Sequence, residues 1–78
     1  MRVAVGLRML DIIKIKEPNL TVSPAYIEAE QLLKKKPDTI TYKEKLVLLD
    51  RLEALCIVAG LSYGRVLEQA FNENSKIK

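Results

Sequence analysis

Apolar and polar positions divide the chain into four segments, each bounded by its own punctuation. The first, about Val3–Lys16, is apolar at Val3, Val5, Leu7, Met9, Leu10, Ile12, Ile13 and Ile15. Val3, Leu7 and Leu10 share one helical face, and Met9, Ile12 and Ile13 broaden it. The pattern predicts a helix that ends before Pro18, with enough Ile and Val to suit a strand in parts. The second segment opens on Ser23-Pro24, an N-cap followed by proline where a missing N–H costs nothing. Ala25, Ala29, Leu32 and Leu33 make its apolar stripe. Glu28 and Glu30 lie early and Lys34, Lys35 and Lys36 late, a polarity that complements the helix dipole. Pro37-Asp38 closes it.

The third segment is a long helix ending at Gly60. Leu46, Leu49, Leu52 and Cys56 form one face, widened by Leu48, Leu55 and Ala59. Val47 and Ile57 fall on the side shared with Lys43 and Asp50, and apolar residues there point to a second contact surface. Gly60 stands where a C-cap glycine belongs and Ser62 where the next N-cap belongs. The fourth helix, about Tyr63–Glu73, turns Val66, Leu67, Ala70 and Phe71 inward and Arg65, Glu68, Gln69 and Asn72 outward, and the tail NENSKIK is expected to fray. The fold class is therefore mainly α: four short-to-medium helices in a small bundle, with one short strand conceivable near residues 39–43.

Length narrows this further. Seventy-eight residues make one domain, 1–78, and a domain of this size buries only roughly 60% of its unfolded surface. A single cysteine rules out an intramolecular disulfide, and the absence of histidine rules out a Cys/His zinc site. Oligomerisation is the remaining source of buried area, and a hydrophobic content of 49% leaves apolar surface to share with a partner. A homodimer is the expectation. The net charge of +3 suits a nucleic-acid partner without demanding one. The excess is spread along the chain: residues 1–39 carry seven Lys/Arg against five acids, and residues 40–78 carry six against five. The first sixteen residues begin like a signal peptide, but Arg8, Asp11, Lys14 and Lys16 interrupt any apolar run. No stretch approaches the ~18 apolar residues of a membrane span, so no membrane partner is expected. One free cysteine without an export signal favours a reducing cytoplasm.

Signatures of catalysis are missing. No histidine is present to act as a base near neutral pH. The three glycines, at 6, 60 and 64, fit no phosphate loop. Cys56 lies on the apolar face of a long helix and reads as a small core residue rather than a reactive thiol. The expectation is a non-enzyme without cofactor or metal.

The stretch Leu49–Phe71, helix–Gly-Leu-Ser–helix, carries two resemblances. It is similar to a helix-turn-helix, with a small residue, Cys56, four before the turn glycine and apolar Leu61 and Val66 one and six after it. Gln69 stands nine after, where that motif has an apolar residue. Over about Thr39–Phe71 the chain also resembles the ribbon-helix-helix family. Thr39-Ile40-Thr41-Tyr42-Lys43 corresponds to its strand, Leu49–Leu55 to its first helix, Gly60-Leu61-Ser62 to its turn and Val66–Phe71 to its second helix. That resemblance implies a DNA-binding dimer in which two strands pair and lie in the major groove. Ile40 and Tyr42 then face the dimer core, and Thr39, Thr41 and Lys43 face base edges. The N–H groups of Ser62, Tyr63 and Gly64 bind a phosphate at the helix N-terminus, reinforced by Arg65. Against this, Glu44 sits at an inward strand position, and Thr41-Tyr42-Lys43-Glu44 is also a capping box that starts a helix at Tyr42. In that case the candidate readers are Tyr63, Arg65 and Gln69. Lys34–Lys36 either satisfy a helix end or add phosphate contacts.

The leading functional expectation is a small DNA-binding transcriptional regulator acting as a homodimer, of the kind carried by phages, plasmids or compact genomes. The alternative is a helical protein-interaction module, an inhibitor or adaptor that docks on another protein. Its basis is the excess of apolar residues in Val3–Ile15 and at Val47 and Ile57.

Overall fold

The computed structural model describes residues 2–35 and 40–76. Helix α1 spans Val3–Lys16, α2 spans Pro24–Lys34, α3 spans Tyr42–Ala59 and α4 spans Tyr63–Lys76. A 3-10 segment, Pro18–Val22, links α1 to α2. The sequence pattern does not foretell it, because five residues carry no apolar period; only Leu20 is drawn partly into the core.

Local chemistry accounts for the start of α2 and both ends of α3. The Ser23 hydroxyl accepts a hydrogen bond from the Tyr26 N–H at 3.2 Å, with Pro24 at the first helical position. Thr41 caps α3 reciprocally: its hydroxyl accepts from the Glu44 N–H at 3.3 Å, and its own N–H donates to Glu44 Oε1 at 3.0 Å. At the far end Gly60 adopts φ +74°, the left-handed conformation that a side chain would strain. Its N–H donates to the Ile57 carbonyl at 3.1 Å and the Leu61 N–H to the Cys56 carbonyl at 2.8 Å, the paired bonds of a Schellman turn. α4 runs on to Lys76, so residues 72–76, expected to fray, are helical.

The capping box decides the segment near 39–43. Tyr42 and Lys43 form the first turn of α3, and among the described residues there is no strand. The strand conceived for 39–43 is thus replaced at its described positions by a helix start, because satisfying two orphan N–H groups within four residues needs no second chain. Thr41→Ala is expected to remove about 1 kcal/mol of stability, as other N-cap truncations do, seen as a lower urea midpoint at unchanged slope.

α1 lies against α2, α3 and α4, and α2 lies against α3. Met9, Ile13, Leu33, Leu48, Leu52, Cys56 and Ala70 have no solvent exposure and form one continuous core with Val66 and Tyr26. The buried faces differ in phase from the expected stripes. In α1 the core side is Val3, Val5, Gly6, Met9, Leu10 and Ile13, with Leu7 only half-buried. In α2 Tyr26 is buried with Ala29 and Leu33, while Ala25 and Leu32 sit at the margin. In α3 Leu48, Leu52, Leu55, Cys56 and Ala59 are inside, Leu49 is half-buried and Leu46 is 51% exposed. Phe71, expected inside, is 61% exposed.

Charged ties close the rim of this core. Arg8 of α1 donates to the Glu73 carboxylate of α4. Arg51 of α3 donates to Glu28 of α2 at 2.9 Å. Lys16 Nζ donates to the Ala59 carbonyl at 3.3 Å, placing a cation from α1 at the C-terminus of α3, where the helix dipole favours it.

Candidate functional site

The sequence singles out two groups of candidate residues, and α3 holds them apart. Thr41 and Lys43 lie at its start, and Ser62, Tyr63, Gly64 and Arg65 follow its end. Its 18 residues set the groups about 27 Å apart at 1.5 Å per residue. Thr39 lies outside the described residues, as does Lys36 of the lysine run. The Thr41 hydroxyl is committed to the capping box. Lys43 is exposed on the first turn of a helix instead of projecting from a strand, and Tyr42, expected against a dimer core, is 73% exposed. Ile40 is half-buried.

The second group is contiguous. Ser62 precedes α4 and its carbonyl accepts from the Val66 N–H at 2.9 Å, which begins the helix. Ser62, Gly64 and Arg65 are exposed, and Tyr63 is half-buried against the core. Burial, then the nearby Glu53 carboxylate, pushes the Tyr63 hydroxyl above its ordinary pKa, so it stays a neutral donor. Further along α4, Gln69 Nε2 donates to Glu73 at 3.2 Å, which holds that side chain along its own helix. Glu68, also exposed, adds negative charge to the same outward surface. Of the lysine run, Lys34 pairs with Glu30 at 3.5 Å, one helical turn back, and Lys35 is exposed.

Cys56 has no solvent exposure, and burial raises its thiol pKa above the ordinary value. A nucleophilic thiolate needs the opposite surroundings, electropositive and partly open. Among the described residues no group of three His, Cys, Asp or Glu is placed to hold a metal ion. No described helix is long and apolar enough to cross a membrane.

Among the described residues, exposed large apolar side chains concentrate on α3. Five large apolar residues lie along it with half or more of their surface exposed: Tyr42, Leu46, Val47, Ile57 and Val58. Helical spacing puts Tyr42, Leu46 and Ile57 in one stripe and Val47 and Val58 in another, roughly 100° round the helix, on either side of Lys43, Asp50 and Ala54. Val47 and Ile57, expected on a second contact surface, are exposed, and so are Tyr42, Leu46 and Val58. Leu46 is among them because the core face of α3 is rotated from the face that four regularly spaced apolar residues suggest. The polar residues on this outward side are Lys43, Asp50 and Glu53, all exposed. Asp50 accepts from Arg51 Nη1 at 2.7 Å, while Glu53 enters no ion pair among the described residues. No family model, curated protein or solved structure matches the chain.

Proposed function

We propose that the chain is a helical protein-interaction module, an inhibitor or adaptor that docks on another protein through the outward side of α3. One observation carries this reading: a single helix of a 78-residue chain leaves Tyr42, Leu46, Val47, Ile57 and Val58 half or more exposed. Scattered apolar residues are ordinary on a protein surface. Five on one helix, in two stripes and on the order of 500 Å² together, reach the scale of the patches that mark interaction sites. Covering such an area stabilises a complex by roughly 25 cal/mol per Å², before the cost of association is met.

The test is affinity capture with nuclease present. A stoichiometric protein partner is expected with the native chain and is lost with Ile57→Asp, whose exposed site leaves the helical circular dichroism unchanged. Recovery of nucleic acid alone, or a partner retained by Ile57→Asp, counts against the reading.

A second reading, a homodimeric DNA-binding regulator, is favoured by the exposed trio Ser62, Gly64 and Arg65 at the start of α4, after a tight turn. With Tyr42 and Lys43 helical, Tyr63, Arg65 and Gln69 are its candidate readers. Mobility shift at low salt tests it. Binding at tens of micromolar or tighter that weakens in Arg65→Ala supports it, and no binding excludes it, since non-specific affinities are typically ~10⁻⁴–10⁻⁶ M even at physiological salt.

A further inference from the structure

We draw no further inference here: the strongest candidate, the surface patch of exposed apolar side chains on α3, belongs to the docking surface already described, and nothing in the structure shows what covers it.

Discussion

Leu52→Ala is expected to remove about 2–5 kcal/mol of stability, the range for truncating a fully buried leucine. Leu52 has no solvent exposure and sits in the one core that α1, α2 and α3 share with Met9, Ile13, Leu33 and Leu48. The cost has two parts: the lost transfer free energy of the removed carbons and the cavity left in packing that relaxes only partly. At about 0.05–0.15 kcal/mol per residue, a chain of 78 residues holds roughly 4–12 kcal/mol in total. A single truncation at this site therefore removes between about a sixth of the stability and all of it. In urea the midpoint should fall by more than ~1 M with little change in slope, and at the lower end of the range the variant is substantially unfolded at 37 °C. Leu46→Ala is the internal control. Leu46 is 51% exposed on the same helix, so its truncation should cost less than about 1 kcal/mol. Equal losses at the two positions would show that α3 buries a different face from the one described.

The contrast between Leu46 and Leu52 also shows what the amino-acid pattern determines and what it leaves open. Helix ends are legible because their signals are local. Pro18 limits α1, Ser23-Pro24 starts α2, the Thr41–Glu44 box starts α3 and Gly60 ends it, and each works through bonds within a few residues. The buried face is a different matter. α3 carries leucines at 46, 48, 49, 52 and 55, so apolar residues occupy well over half of its circumference. More than one face then satisfies a 3.6-residue period, and the docking of α1 and α2 selects Leu48 and Leu55 over Leu46 and Leu49. The same holds for Phe71, exposed although apolar, whereas Tyr26 is buried three and seven residues before Ala29 and Leu33, on the stripe they define. Phe71 has no local signal of its outward orientation.

The candidate site is legible to a corresponding degree. Val47 and Ile57 stand out in sequence because they share a side with Lys43 and Asp50, which water should own. Leu46, Tyr42 and Val58 do not, since each can be counted toward a core or a strand until the helix phase is known. The cross-helix ties Arg8–Glu73, Arg51–Glu28 and Lys16 to the Ala59 carbonyl join residues 65, 23 and 43 positions apart, a separation at which no spacing rule operates.

Gly6→Val is the second substitution expected to have a large effect, and its sign runs against helix propensity. Gly6 is buried in the interior of α1, where glycine is normally the worst residue after proline and replacement by alanine gains about 1 kcal/mol. Here the missing side chain is what lets α1 approach α2. A Cβ at position 6 would lie 2.7 Å from Cδ2 and 3.0 Å from Cδ1 of Leu33. Leu33 has no solvent exposure and belongs to the central core, so its methyls have little room to retreat. Forcing extra carbon into such packing costs typically 1–3 kcal/mol. For Gly6→Ala the propensity gain and the collision are of similar size, and the net change should be small. Valine adds two further methyls against the same neighbour and, being β-branched, keeps little of the propensity gain. Gly6→Val should therefore lose about 1–3 kcal/mol in urea titration. The double variant Gly6→Val with Leu33→Ala should be less destabilised than the sum of the two single variants, because the new methyls occupy the space that Leu33 gives up. Strict additivity in that cycle would mean that α1 and α2 do not meet at Gly6 and Leu33.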